Sequence, residues 1–224
     1  LRFRHLLEKH ALTQRIFEEI NAHLAEKGLF MREGTIVDAT IVAAAPSTKN
    51  KAKQRDPEMK QTKKGNQWYF GMKAHIGVDA VTGLTHSVAA TSANVADVTM
   101  AGALVREDDK RVYGDAGYTG MWKHLGEEKD APDSKCYVAA KRCAIKKMDD
   151  SPMKTMLLAI EKAKASIRAK VEHPFHVIKN LFGYRKVRYK GLAKNQAQLF
   201  SLFGLANLVL STRCEGQIDG AITP

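Results

Sequence analysis

Glu172 is the only acidic residue in a stretch that carries ten basic residues, from Lys162 to Lys194. The stretch is predicted to be helical, with Arg168, Glu172 and Lys179 at positions i, i+4 and i+11. At about 3.6 residues per turn these positions lie within about 40° of one direction, so the three side chains share one helix face. A carboxylate between cations can bind a divalent metal ion while its neighbours bind phosphate. The spacing therefore indicates chemistry on a nucleic acid.

Two aspartates are candidates to complete such a site. Asp38 interrupts the apolar run 34–45, which is predicted to be a central strand buried on both faces. An ionised carboxylate is costly there unless it is paired or binds metal, although an outward-facing Asp38 remains an alternative. Asp115 ends the predicted strand 111–115 before a glycine-rich turn, where a simple turn aspartate is the alternative. Glu172 likewise has a simpler role, an ion pair with Arg168 at i+4.

The charge of the chain is unevenly distributed. The 224 residues have a net charge of +12 and 44% are apolar, which excludes a disordered basic tail. Residues 162–194 carry a net charge of +9 and residues 46–73 carry +6, so the remainder is slightly acidic. Two basic patches on such a body indicate a polyanionic partner, with ordinary surface lysine as the alternative.

The element pattern alternates strands and helices after an N-terminal helical segment. Residues 1–28 are predicted to be helical with a break near Thr13, and the basic segment 46–67 is predicted to be a long mobile loop. Asp97 is predicted to cap a helix of about ten residues. Strands are predicted at 34–45, 68–78, 84–90, 111–115 and 135–141, and further helices at 97–107, 152–183 and 195–212. The order predicts an α/β fold with a mixed β-sheet flanked by helices.

Several segments in this order give the chain a family resemblance, from about Leu1 to about Arg213. They are GTIVDATIV, QWYFGMKAHIGVDAVTG, ANVADV, YGDAGYTG, KAKASIRAKVEHPFHVIKNLFGY and RYKGLAKN. The sequence resembles the DDE transposases of bacterial insertion sequences, family five in the superfamily of families four and five. The family's signature around its third acid is Tyr, two residues, Arg, three residues, Glu, six residues, Lys. Arg168, Glu172 and Lys179 match it, whereas Ala165 stands at the tyrosine position.

The resemblance implies an RNase H-like core and assigns roles to individual residues. Asp38, Asp115 and Glu172 would be the catalytic acids and the ligands of two Mg²⁺ ions, with Mn²⁺ as a substitute. Arg168 and Lys179 would contact the DNA end. Lys73 is a further candidate for a phosphate contact, with an ordinary surface lysine as the alternative. The remaining candidates for DNA binding form a basic and aromatic run that also fits a solvated surface: Tyr184, Arg185, Lys186, Arg188, Tyr189, Lys190 and Lys194.

The function implied by the resemblance is metal-dependent cleavage at the ends of a mobile element, followed by strand transfer into target DNA. A nuclease without strand transfer and an inactive, truncated DNA-binding remnant are the alternatives. We expect a homodimer on double-stranded DNA in the cytoplasm, with no membrane contact. Residues 1–30 are interpreted as the remnant of a larger N-terminal domain, 31–212 as the catalytic domain and 213–224 as a disordered tail.

Three further residues are candidates for roles at the site. Trp68 and Tyr69 have two interpretations, stacking on an exposed base or packing in the core, and core packing is the more common role of aromatic residues that open a strand. His75 alternates with Lys73 along the same predicted strand and has two interpretations, a phosphate contact or a hydrogen-bonded structural histidine.

Overall fold

A helical hairpin opens the chain in the computed structural model, which describes residues 2–30, 33–49, 51, 53–125 and 135–220. Helix α1 spans Arg2–Lys9 and α2 spans Leu12–Glu26. The chain reverses at Ala11, which has a left-handed backbone with φ of 49°. The predicted break near Thr13 therefore lies two residues too late, because Thr13 is buried inside the first turn of α2.

Six strands form one mixed sheet. The strands are β1 (Thr35–Ala43), β2 (Lys60–Lys64), β3 (Gln67–Asp79), β4 (Thr85–Ser92), β5 (Arg111–Gly114) and β6 (Lys135–Val138). Strand β3 pairs antiparallel with β1, β2 and β4. On its other side β1 runs parallel to β5, and β5 runs parallel to β6. The central position of β1 agrees with its nearly continuous apolar sequence.

Strand β2 corrects the prediction that residues 46–67 form one long loop. It pairs with the first residues of β3 through a two-residue turn at Gly65 and Asn66, and Gly65 adopts φ of 61°. The strand is polar and largely exposed, so it lacks the apolar alternation by which a strand is usually recognised. The glycine-asparagine pair before an aromatic strand was the available hairpin signal.

The helical part of the chain is more interrupted than the sequence predicts. Helix α3 is Ala101–Leu104 and follows a 3-10 turn, α4 is Arg142–Lys146, α5 is Pro152–Arg168, α6 is Glu172–His176 and α7 is Leu192–Gly220. A 3-10 turn at Ala169–Val171 separates α5 from α6, and a π turn at Val177–Leu181 follows α6. The helix predicted over 152–183 is therefore interrupted, first by the 3-10 turn and again by the π turn.

Asp97 is not the helix cap that the sequence predicts. It lies within the first turn of the 3-10 segment, and its side chain makes no capping hydrogen bond. Instead its Oδ1 lies 2.8 Å from Nζ of Lys73 on β3. A capping aspartate would accept hydrogen bonds from backbone N–H groups of its own helix. Asp97 instead pairs with the ammonium group of Lys73 from a distant strand.

Helices cover both faces of the sheet and bury two apolar clusters. Side chains alternate along β1, so Ile36 and Val42 pack in a large cluster with α2, α6 and α7, whereas Val37 packs on the opposite face against α3. The rings of Phe17 on α2 and Phe200 on α7 lie 5.7 Å apart. These observations confirm the predicted α/β class, a mixed sheet flanked by helices with an N-terminal helical segment, as expected of an RNase H-like domain.

A buried asparagine joins three distant segments of this fold. Oδ1 of Asn207 on α7 accepts from the backbone N–H of Thr85 on β4 at 2.8 Å. Its Nδ2 donates to the carbonyl of Thr85 and to Oδ1 of Asn21 on α2. We call this set of hydrogen bonds the Asn207 clasp.

Candidate active site

Asp38 lies in the middle of β1 with strands on both sides. It pairs with Ile76 across the antiparallel ladder and shares the sheet face of Ile36 and Thr40. Its Oδ1 accepts a hydrogen bond from the N–H of Ala39 at 2.7 Å. Burial raises the pKa of Asp38 to about 6, and the nearby carboxylates of Asp115 and Glu172 contribute to the rise, while Arg168 and the Ala39 hydrogen bond oppose it. The protein itself therefore stabilises this carboxylate only weakly.

Asp115 follows directly on β5, the parallel neighbour of β1. Ile36 pairs with Tyr113, so the continuing register brings Asp115 level with Asp38. The Asp115 side chain caps a short 3-10 turn by accepting from the N–H of Gly117 at 2.8 Å. A Cβ atom on Gly117 would lie only 2.9 Å from Oδ1 of Asp115, so a side chain there would crowd the carboxylate. Glycine at this position keeps Asp115 in place.

Glu172 begins α6 and lines a cleft of about 460 Å³ on the Asp38 side of the sheet. Lys179 lines the same cleft and donates from Nζ to Oγ1 of Thr40 and to the carbonyl of Ile41. Burial lowers the pKa of Lys179, as do Lys64 and Arg185, although Glu172 and Asp38 act in the opposite direction. This lysine is therefore fixed to β1 two residues beyond Asp38.

The structure brings the three predicted acids into one electrostatic environment. Asp115 and Glu172 each raise the pKa of Asp38, so their charges act on it directly. Among the residues that the structure describes, however, no group of three or more His, Cys, Asp or Glu side chains is close enough to hold a metal ion. Carboxylate oxygens are the ligands that Mg²⁺ prefers, so the chemistry of this donor set fits the ion. Simultaneous ligation would need the carboxylates to approach one another further.

The predicted common face of Arg168, Glu172 and Lys179 is only partly realised. No continuous α-helix joins the three residues, because the 3-10 and π turns lie between them. Glu172 and Lys179 nevertheless line one cleft, while Arg168 lines a neighbouring pocket beside Glu161. Arg168 still lowers the pKa of Asp38, which shows that its charge reaches the acids.

The other predicted DNA-binding residues fall into two groups. Tyr184 is only 1% exposed and its hydroxyl donates to Oδ1 of Asn195, so its ring is not accessible to DNA in this structure. Lys73 lies on the sheet face opposite Asp38 and donates to the carbonyl of Val95. Arg185 lines the cleft. The remaining basic residues are all exposed: Arg185, Lys186, Arg188, Lys190 and Lys194.

The structure also shows the surroundings of Trp68 and His75. Trp68 is 64% exposed and does not pack in the core. His75 is fully buried and its Nε2 shares a hydrogen bond of 2.7 Å with Oγ1 of Thr91. Burial lowers the pKa of His75 to about 4, although Asp97 acts in the opposite direction. His75 is therefore a neutral structural histidine at pH 7.

Thr40 is a member of the site that the sequence analysis did not single out. It lines the cleft and its hydroxyl accepts from Nζ of Lys179. The alternation of side chains along a strand could have predicted this role, because Thr40 stands two residues after Asp38 and must share its sheet face. It is the polar side chain that orients the lysine towards the acids.

Among the described residues, no helix is both long enough and apolar enough to cross a membrane. A family model described as the transposase DDE domain matches residues 29–208, which is more than half of the chain and includes all three acids. No solved structure matches the chain.

Proposed function

We propose that this chain, which belongs to the transposase DDE domain family, cuts DNA at the ends of a mobile element and joins the cut ends to target DNA. The observation that best supports the proposal is that Asp115 and Glu172 both raise the pKa of Asp38, while Glu172 lines a cleft that also contains Lys179. Within the family, we assign the chain to the insertion-sequence transposases of family five on the motifs around these acids.

Asp38, Asp115 and Glu172 are the proposed ligands of two Mg²⁺ ions, for which Mn²⁺ can substitute. Such ions, when bound, would offset the charge that develops on the attacking and leaving oxygens of a phosphodiester. The raised pKa of Asp38 is the observation that fits this role, because a carboxylate that is buried, and that two further carboxylates disfavour, gains most from a nearby cation. At pH 7.5 the Asp38 carboxyl is largely ionised and able to bind one.

The side chains would act on the DNA in two successive reactions. In the first, the oxygen of a water attacks the scissile phosphorus, the bond from phosphorus to the 3′-oxygen breaks, and a 3′-hydroxyl is released. In the second, that 3′-oxygen attacks a phosphorus of the target, so one phosphodiester forms as another breaks. Lys179, fixed by Thr40, and Arg168 would hold the phosphates in line and offset their charge.

The exposed cations beyond the cleft are the proposed surface for the DNA backbone. Lysine and arginine contacts to phosphate supply affinity without reading sequence. Because two element ends must be paired before joining, we propose that a homodimer acts on the DNA. The proposed surface consists of Arg185, Lys186, Arg188, Lys190 and Lys194.

A cleavage and strand-transfer assay tests this proposal. Labelled duplexes that carry the element's own ends are incubated with target DNA and Mg²⁺ or Mn²⁺. Glu172→Gln removes one proposed ligand. Asp150→Asn is the matched control, because its carboxylate is 97% exposed and Asp150 is distant in sequence from the residues that line the cleft. We expect joined products from the wild type and the control but none from Glu172→Gln.

Three results would contradict the proposal. Cleaved ends without joined products would leave a metal-dependent nuclease. DNA binding without any metal-dependent product would leave a DNA-binding remnant, and equal activity of Glu172→Gln would remove Glu172 from the site.

A further inference from the structure

On the sheet face opposite Asp38, buried polar atoms of three side chains have no hydrogen-bond partner within the described part of the chain. They are Nδ1 of His75, Oη of Tyr118 and Oδ1 of Asp97. His75 and Tyr118 are fully buried. An unpaired buried polar atom has lost its hydration without compensation, so such atoms are rare in proteins. Three of them in one region indicate that something further binds there.

His75 and Asp97 approach each other from β3 and from the 3-10 turn Asp97–Met100. Nδ1 of His75 lies 3.9 Å from Oδ1 of Asp97, which is too long for a direct hydrogen bond. Nζ of Lys73 lies 2.8 Å from the same oxygen and donates to the carbonyl of Val95. The positive charge that the Asp97 carboxylate requires is thus already supplied, so the gap beside His75 suits a neutral molecule.

Tyr118 reaches the same region from the turn that follows Asp115. This turn, Ala116–Tyr118, contacts the 3-10 turn that begins at Asp97. Burial raises the pKa of Tyr118, and the charges of Asp38, Asp97 and Asp115 raise it further. The hydroxyl group therefore lies close enough to the Asp97 carboxylate to be affected by its charge, and it stays protonated as a hydrogen-bond donor.

The hydrogen bonds around His75 determine which ring nitrogen carries the proton. Oγ1 of Thr91 donates to the carbonyl of Ser92 at 3.2 Å, so it offers only a lone pair to His75. Nε2 of His75 must therefore donate in its bond of 2.7 Å to Thr91. Burial lowers the pKa of His75 to about 4, so the ring is neutral at pH 7 and Nδ1 is left as an acceptor. Nδ1 and the Asp97 carboxylate are thus two acceptors that face each other.

One water molecule would satisfy all three atoms at once. It would donate one hydrogen to Nδ1 of His75 and the other to Oδ1 of Asp97, and it would accept from the hydroxyl of Tyr118. Buried waters typically make about three hydrogen bonds to polar groups that the protein itself leaves unpaired. The two acceptors and one donor present here match the two hydrogens and the lone pairs of water.

Such a bridge would fix the segment that carries Asp115. The N–H of Tyr118 donates to the carbonyl of Asp115 at 3.0 Å. The Tyr118 side chain packs closely on Gly114, where an added Cβ atom would lie only 2.9 Å from Cβ of Tyr118. The base of the ring is thus tied to Asp115, and the hydroxyl is the end that the water would hold. The water would join this ring to β3, the partner of the strand that carries Asp38.

We propose that a buried water bridges His75, Asp97 and Tyr118, and that Tyr118 acts through this water as a positioning residue for Asp115. The inference rests on the proposed function, since it takes Asp115 as a metal ligand. Residues that hold metal ligands in place change metal affinity by about 10–100-fold when they are replaced. Tyr118 has this effect without touching the metal or the DNA.

NMR of protein labelled with ¹⁵N in its histidines tests the bridge. We expect His75 to carry its proton on Nε2 at pH 7, with Nδ1 accepting a hydrogen bond. Tyr118→Phe removes only the hydroxyl and should shift the Nδ1 resonance. Tyr113→Phe is the matched control, because Tyr113 is also buried near Asp115 but packs on the other sheet face, and it should leave the resonance unchanged. A proton on Nδ1, or an Nδ1 resonance that Tyr118→Phe does not move, would overturn the bridge.

Titration with Mn²⁺ tests the effect on the site. The protein is mixed with a duplex that carries the element's ends, free Mn²⁺ is measured by EPR, and the same duplex alone gives the baseline. Tyr118→Phe should weaken Mn²⁺ binding by about tenfold, whereas Tyr113→Phe should change it by less than about twofold. Thermal melts check that both variants are folded.

The outcomes separate this inference from the proposed function. Wild-type Mn²⁺ affinity in Tyr118→Phe would overturn the positioning role and leave the proposed function standing. Equal losses in Tyr118→Phe and Tyr113→Phe would show a general effect of packing and would also overturn the positioning role. If the wild type bound no Mn²⁺ above the baseline, the proposed function would fall and the inference with it.

Discussion

Two groups of acidic side chains lie along β1, and the protein's own cations and donors neutralise only one of them. At the start of the strand, Asp79 and Asp109 are almost fully buried and both contact the guanidinium of Arg106. Oδ2 of Asp109 also accepts from the hydroxyl of Thr35, and Oδ1 of Asp79 accepts from two backbone N–H groups of the β3–β4 turn. We call this group the structural acids.

The second group, the site acids Asp38, Asp115 and Glu172, is less buried and less well compensated. Asp38 has one short hydrogen bond, from its own neighbour Ala39, and its pKa is raised. The difference teaches that burial alone does not identify a functional acid. The deeper acids have partners that hold them in place, whereas the shallower ones retain a charge that the fold has not satisfied.

The largest effect should come from neutralising a site acid. Asp38→Asn keeps the shape of the side chain and removes the charge, so strand transfer should fall by at least about a thousandfold. Affinity for DNA, measured by anisotropy, should change by less than about threefold because it is spread over many cations. If Asp38→Asn kept the strand-transfer rate of the wild type, Asp38 would belong with the structural acids, and the two groups would no longer differ in function.

Replacing Arg106 or Arg168 with methionine should distinguish the structural acids from the site acids by the change in the free energy of unfolding. Arg106→Met leaves two buried carboxylates without their cation, so the free energy of unfolding should fall by about 3 kcal/mol. Arg168→Met, beside the site acids, should change it by less than about 1 kcal/mol because this arginine is partly exposed. Urea titration measures both. Equal losses would show that both arginines have the same structural role.

Asp38→Asn should stabilise the fold in the absence of divalent cations. The pKa of Asp38 is raised above its ordinary value to about 6, so its favourable contribution is present below about pH 4 and is lost as the pH rises through 6. At pH 7.5 the wild type therefore carries an unfavourable charge, and removing it should add about 1–2 kcal/mol. Urea titration in EDTA measures this gain, and the same change at Asp109 should instead destabilise.

The smallest expected effect is a dependence of cation binding on pH. Mg²⁺ should raise the melting temperature of the wild type at pH 7.5 and progressively less as the pH falls through 6, because protonated Asp38 is a poor ligand. Thermal melts at several pH values, with and without Mg²⁺, measure the difference. Asp38→Asn serves as the control and should show little change over this range, whereas a response equal to that of the wild type would exclude Asp38 as the titrating group.

The sequence was most informative where a residue contradicts its local surroundings. Asp38 interrupts an apolar strand and Asp115 ends another predicted strand, so the pattern indicates both as candidates, and in the structure they lie level in the sheet. The strands β3 and β4 were also predicted, at 68–78 and 84–90, because their residue pattern is local. These features are determined by residues that are close in sequence, so the sequence alone can predict them.

The sequence was least informative where a side chain is fixed by a distant partner. Asp97 has the local context of a helix cap, but the ammonium of Lys73 lies 24 residues earlier and on another strand. Tyr184 stands in a basic run that resembles a surface, but Asn195 and the core enclose it. Arg106 was not predicted, because one of its two acids, Asp79, lies at the end of β3 and comes close to it only in the folded chain.

The Asn207 clasp has a consequence for the chain while it is being made. Asn207 follows Thr85 by 122 residues. At about 5–20 residues per second, a ribosome adds Asn207 roughly 6–24 s after Thr85. During that interval β4 lacks α7 above it, and among the strands that the structure describes it pairs only with β3. An unpaired strand edge of this kind allows nascent chains to pair with one another. Because the exposed β4 can pair with other nascent chains, we expect the yield of folded protein to depend on the rate of elongation and on chaperones.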